Sequence, residues 1–383
     1  MSTIKVDEIF GDLPTDAVDL PNKFKVGGTP VEQGYTASGT EPSSASNGDY
    51  WWDTGNEKLY RYMDGGFKEI GLPVVAQLLW AGDRGVFAGG QESNGETNRI
   101  QYINITSTGN TTDFGNLTAA KEFGSGASNA SRGLYFAGYT TTAINNIDYV
   151  TISTPGNAQD FGDLQHVNYM KGSACSDGIK AFIFGGYSPP NVLNNIQQVT
   201  IGTTGNSTDF GDLSTYSYLN AACGDATRGV CALGRQRTSS SSGSFSYINN
   251  IEYITTANTG NSTDFGDATV AKGQYSGCSD TTRGIFVGGI MQNGTRLDEI
   301  DYITIQTTGN ATDFGNLSQN NIRPAACANS TRGVIGGGFT TTGSSVRVNT
   351  IEYVTIQTPG NVTDFGDLAA INYGLAAFSG NAS

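Results

Sequence analysis

Six short runs along the chain alternate apolar and polar positions: Ile100-Gln-Tyr-Ile, Ile147-Asp-Tyr-Val, Ile196-Gln-Gln-Val, Ile251-Glu-Tyr-Ile, Ile300-Asp-Tyr-Ile and Ile351-Glu-Tyr-Val. A period of two sends alternate side chains to opposite faces of a pleated strand, so each run predicts a strand with one buried face. A Gly-Asn turn follows each run, glycine tolerating positive φ and asparagine bonding to nearby backbone. Next comes Asp-Phe-Gly, with its aspartate at Asp113, Asp160, Asp209, Asp264, Asp313 and Asp364, spaced 47 to 55 residues apart. Upstream of each run a basic residue opens a glycine-rich apolar stretch, at Arg84, Arg132, Lys180, Arg228, Arg283 and Arg332. Before that lies a strand of small residues, as in Leu219-Asn-Ala-Ala-Cys. One period therefore predicts four short strands joined by turns, and glycine and alanine suit inner strands whose backbones approach closely.

The order of these features resembles the kelch motif, with Phe where that family usually carries Trp. The resemblance covers residues 73–383 and implies an all-β fold, a six-bladed kelch-like β-propeller. Phe114, Phe161, Phe210, Phe265, Phe314 and Phe365 are expected to pack between adjacent blades. The small-residue strand occurs seven times, one copy more than the other strands. The C-terminal copy, within 371–381, is expected to pair with the 84–90 strand, leaving 73–82 as a linker; closure by 73–82 is the alternative.

Residues 1–72 do not repeat. Residues 36–48 are rich in Ser, Gly, Thr and Pro and predict a flexible linker. Residues 49–72 hold two of the three Trp and alternate at Leu59, Tyr60, Arg61 and Tyr62, which predicts a small aromatic β-meander with two tight turns. The segment Gly48-Asp-Tyr-Trp-Trp-Asp with its Leu-Tyr hairpin resembles a module of tailed-bacteriophage fibre and appendage proteins. Ser2-Thr-Ile-Lys-Val-Asp is similar to the N-termini of marine-phage structural proteins. Residues 1–35 are then an extended virion-docking segment, its apolar contacts being Ile4, Val6, Ile9 and Phe10.

Charge narrows the function. The 383 residues carry 21 Lys and Arg against 35 Asp and Glu, a net charge of −14, so no broad phosphate-binding surface is expected and nucleic acid is excluded as a partner. No apolar run approaches the ~20 residues that span a bilayer, and no secretory signal is read at the N-terminus. The single histidine, His166, removes the usual general base and the copper site of kelch-fold oxidases; it is read as exposed in the loop before an inner strand. No nucleophile elbow, Walker loop or zinc motif is present, the Asp- and Asn-rich turns lack calcium-loop spacing, and no cofactor is expected. Cys175, Cys223, Cys278 and Cys327 each stand five residues before a basic residue, one repeat position read as a small buried hydrophobe. Only Cys223 and Cys231, taken to lie opposite each other in a hairpin, are within reach of a disulfide, and synthesis in a reducing compartment follows. The sequons at Asn110, Asn206, Asn261, Asn310 and Asn361 read as turns.

Loops at one end of the blades differ in length and chemistry, and such unequal loops are where recognition is expected. The fourth carries Arg235, Arg237, Phe245 and Tyr247, able to stack on sugar rings or pair with acidic groups; a solvated serine-rich insertion is the competing reading. Tyr139, Tyr187, Met291 and Phe339 stand at other blade mouths. The function expected is non-enzymatic: a bacteriophage virion protein, a tail fibre or adhesin-like appendage, docked through its N-terminus on other virion proteins and meeting host-surface glycan with its propeller. It is expected to be made in the host cytoplasm, to insert in no membrane and to form a homotrimer through residues 1–72. The alternatives are a capsid decoration or head-fibre protein, a cellular kelch adaptor, and a glycan depolymerase using Asp148, Glu252, Asp301 and Glu352, which are otherwise read as packed in strands or exposed to solvent.

Overall fold

The computed structural model describes residues 25–26, 29–30, 35–38, 40–46, 49–53, 58–63, 65–69, 82–168, 173–340 and 346–382. Every regular element among them is a β-strand, and no helix among them is long and apolar enough to cross a membrane. The chain divides into two compact units, Met1–Val75 and Ala76–Ser383. Ile4, Val6, Ile9 and Phe10 lie outside the described residues.

In the first unit the expected meander is Tyr50–Asp53, Lys58–Met63 and Gly66–Glu69, paired antiparallel in that order. A fourth strand, Tyr35–Ser38, pairs parallel with Tyr50–Asp53, so the polar stretch read as a linker from residue 36 begins inside a sheet. Trp51 accounts for this: its indole N–H donates to the Ser38 carbonyl at 3.1 Å, while its ring stacks on Tyr60 at 4.8 Å and meets Phe67 edge-on at 5.5 Å. Buried indole nitrogens need such an acceptor.

Among its described residues the second unit holds six four-stranded antiparallel sheets, one per repeat. In the second sheet the order from inner to outer edge is Ser125–Ser128, Arg132–Tyr139, Ala143–Thr151, Gln159–Asn168. The first sheet is completed from the far end of the chain: Ala376–Gly380 pairs with Arg84–Ala88. The inner strands neighbour one another in chain order, and the last, Ala325–Ala328, neighbours Ala376–Gly380.

Three interactions recur between successive sheets. At the inner edge, serine hydroxyls donate to the preceding strand's carbonyls: Ser128 to Ser379 and Ser279 to Gly224, both at 2.7 Å. At the outer edge, the asparagine of each Gly-Asn turn accepts the amide N–H just after Asp-Phe-Gly of the preceding sheet. Asn206 accepts from Asp163, Asn261 from Asp212, and Asn110 from Asp367, each at 3.0 Å. The sequon asparagines thus bond between sheets. Third, a β-bulge at Asp-Phe-Gly, where Ile100 faces Gly115 but Gln101 faces Asp113, turns Phe114 inward among Tyr135, Val150 and Ile152 of the next sheet. A bulge re-aims one side chain without ending the pairing.

The cysteines occupy the slot the repeat assigns them. Cβ atoms placed on Gly229, Gly284, Gly333 and Gly85 would meet the Sγ atoms of Cys175, Cys223, Cys278 and Cys327 at 3.0, 2.3, 3.2 and 3.0 Å. Only a bare backbone admits that side chain from the preceding sheet. Where the second sheet has Ala127 instead, the third carries Ala181 instead of glycine, both within one core cluster. All five cysteines are buried free thiols, pushed up in pKa by burial. The sequence reading that set Cys223 opposite Cys231 is corrected by the register: Cys231 faces Ala222, so Cys223 points to the opposite face. His166 is exposed as expected, but within the long outer strand Gln159–Asn168 and not in a loop.

Candidate functional site

The sheets have two unlike ends. At one end the arginine found at this position in five of the six repeats caps a neighbour: the Arg132 guanidinium donates to the Ile201 carbonyl at 3.0 Å and lies 4.5 Å over the Tyr149 ring. Arg84, Arg228, Arg283 and Arg332 repeat that arrangement. The third sheet drops both halves at once, with Lys180 in place of arginine and Gln198 in place of the tyrosine. Every other arginine of the second unit (Arg99, Arg235, Arg237, Arg296, Arg323 and Arg347) belongs to the segments at the opposite end.

The fourth loop folds there into a sheet of its own. Arg235–Arg237 pairs with Phe245–Tyr247 on one side and with Tyr216–Tyr218 on the other. The register aligns Tyr216, Arg237 and Phe245 in one rung and Tyr218, Arg235 and Tyr247 in the next. Residues two apart on a strand share a face, so all six side chains stand on one face of this sheet. The Arg235 guanidinium lies 4.3 Å from the Phe245 centroid and donates to the Tyr218 hydroxyl at 3.0 Å; that of Arg237 lies 4.4 Å from Phe245. Tyr187 of the third sheet stacks on Tyr218 at 5.4 Å. Tyr247 rests where a Cβ on Gly273 would come within 2.5 Å of its ring. Residues 241–244 of this loop are an exposed serine-glycine tip, and its base is packed.

The structure therefore brings Arg235, Arg237, Phe245, Tyr247 and Tyr187 together and adds Tyr216 and Tyr218. The alternation Tyr-Ser-Tyr was the available signal for the last two. Phe339 joins another cluster, 5.5 Å from Tyr373, with Arg296 4.8 Å over its ring. Arg323 lies 4.6 Å over Phe123, and Arg347 5.2 Å over Tyr373. Tyr139 is tied by its backbone to Glu122, and Met291 sits in a backbone turn closed by Thr295. The small residues of all six inner strands line cavities of about 50 and 70 Å³. Such space admits a few waters.

Of the two readings of the strand carboxylates, packed in strands or exposed to solvent, the structure shows the first. Asp148, Glu252, Asp301 and Glu352 are all less than a tenth exposed. Each accepts hydrogen bonds from the chain leaving the preceding sheet: Asp148 from the Thr118 N–H at 3.1 Å, Glu352 from that of Ser318 at 3.3 Å, Asp301 from the Thr269 hydroxyl at 2.6 Å, and Glu252 from Ser214. Gln101 and Gln197 take this role in the first and third sheets. Two of the carboxylates also hold buried cations, Lys121 on Asp148 at 3.0 Å and Lys272 on Asp301 at 2.7 Å. Burial lowers the Lys121 pKa against the opposing pull of Asp148. No group of three or more His, Cys, Asp or Glu poised to hold a metal occurs among the described residues.

Glu122, beside this end, is 4% exposed, and burial together with the nearby charge of Glu96 pushes its pKa from 4.5 up to about 7. Between those values the folded protein holds a proton that the unfolded chain has released, so stability falls as pH rises through that window. Urea unfolding below and above it should show this loss, and Glu122→Gln should reduce it; an unchanged pH dependence in the variant would assign it elsewhere.

Comparison with known proteins gives no matching family model and no matching curated relative.

Proposed function

We propose that the six sheets are the blades of a closed, six-bladed kelch-like propeller, and that the chain is a structural protein of a tailed-bacteriophage virion. In this reading it is a tail fibre or adhesin-like appendage: residues 1–35 dock on other virion proteins, residues 1–72 trimerise, and the arginine- and aromatic-bearing loop end contacts glycan on the host surface. The observation that carries it is the division of labour among the polar residues. The strand carboxylates a glycosidase would need are spent as acceptors between sheets, whereas the loop end carries rigid rings and guanidinium groups suited to contact. Closure is supported by the pairing of Ala376–Gly380 with Arg84–Ala88 and by the Asn110 bracket onto Asp367. The N-terminal aromatic module supports the virion assignment through its resemblance to phage appendage modules.

The purified full chain is expected to block adsorption of its phage to host cells and to release no reducing sugar from host polysaccharide. Mass spectrometry of purified particles should contain it. Absence from the particle would overturn the virion assignment, and sugar release would restore the depolymerase. Location on the head instead of the tail would favour a decoration or head-fibre protein, and light scattering that returns a monomer would remove the trimer.

A further inference from the structure

We propose that the small sheet formed by Tyr216–Tyr218, Arg235–Arg237 and Phe245–Tyr247 recognises an anionic saccharide, a sugar chain bearing carboxylate or sulfate groups; this rests on reading the loop end as the contact surface. The first observation is charge. Segments 187–195, 214–220 and 234–250, which form this sector, contain no Asp or Glu, although the chain carries 35 acidic residues. Arg235 and Arg237 are bonded to neutral oxygens, the Tyr218 hydroxyl and the Pro190 carbonyl, so their charge is not cancelled by a carboxylate in the pairs formed. The second is rigidity. Both guanidinium groups lie over Phe245, and stacking holds each planar fork in place; Nη1 of each is bonded and Nε is buried, so Nη2 is the group that would meet a carboxylate or sulfate.

The third observation is the composition around them. Tyr187, Tyr216 and Tyr247 are partly exposed, and Ser241, Ser242 and Ser244 form an exposed hydroxyl-bearing tip. Rings that pack against sugar faces, beside hydroxyls that exchange hydrogen bonds with them, match a carbohydrate better than a bare anion. A long polyphosphate fits less well: it needs a continuous run of cations, and the net charge of −14 repels whatever extends beyond the sector.

Calorimetry on the full chain tests this with three probes of equal length: an oligogalacturonate, a sulfated dextran oligomer and a neutral dextran oligomer. At least one charged probe should bind about tenfold or more tighter than the neutral one, with affinity falling as salt is added, since a charge-assisted hydrogen bond contributes roughly a factor of ten. Preference between the two charged probes assigns the anion. Arg237→Gln should weaken binding about tenfold. Ser244→Glu, a change at an exposed position that removes no packing, should weaken it similarly at an unchanged melting temperature. Equal binding of the neutral probe, binding unchanged in both variants, or no binding at all would overturn the proposal. If the chain blocks phage adsorption yet binds no charged probe, this ligand class fails while the contact-surface reading stands.

Discussion

Truncation after Ile371 is expected to abolish cooperative unfolding of the second unit. The deletion removes Ala376–Gly380, the inner strand that the first sheet takes from the opposite end of the chain, and with it buried Leu375, Ala376 and Phe378. Full burial of one large apolar side chain is worth about 1.5–3 kcal/mol, and whole domains are stable by only about 5–15 kcal/mol. The loss also unpairs the backbone of Arg84–Ala88, an apolar edge that templates aggregation. Size-exclusion chromatography and near-ultraviolet circular dichroism should report an aggregated chain without fixed aromatic packing. Phe378→Ala isolates the packing part. Its ring lies where a Cβ on Gly133 would be 2.0 Å away, so the cavity opens between two sheets, at a cost of about 3–5 kcal/mol in urea unfolding. A fully stable truncated chain would mean that the first sheet is closed in some other way.

The second large effect concerns the buried ion pairs. Asp301→Ala leaves the Lys272 ammonium wholly buried without its partner, and breaking a buried pair from one side costs about 3–5 kcal/mol. The double variant Lys272→Met with Asp301→Ala should recover most of that loss, because a well-packed apolar replacement avoids desolvating either charge. Denaturant unfolding of the two single variants and the double one checks this. Additive losses would mean that the pair is solvated and contributes little.

The strand plan was legible because its signals are local. Period-two runs, Gly-Asn turns and Asp-Phe-Gly each act within a few residues, and the C-terminal strand was identifiable because its composition follows the repeat. What the sequence left open or misplaced was non-local. The burial of Asp148 depends on Thr118 and Lys121 of the preceding connection, and a strand pattern does not reveal which face an acceptor turns to. The error at Cys223 and Cys231 was a register slip of one residue, which moves a side chain to the other face. Tyr35–Ser38 joins the sheet of the first unit through a parallel pairing that its own polar composition does not signal. In the candidate site, Arg235, Arg237, Phe245 and Tyr247 were visible as an insertion. Tyr216 and Tyr218 show their own Tyr-Ser-Tyr alternation but not their place in the site, because they come from the connection before the inner strand and meet the insertion only once both are folded.

The most direct test of the proposed closed ring is electron microscopy of the purified full chain. Class averages should show six equal sectors around a narrow centre with no gap between the first and the last. An open arc, or a ring with another number of sectors, would contradict the account.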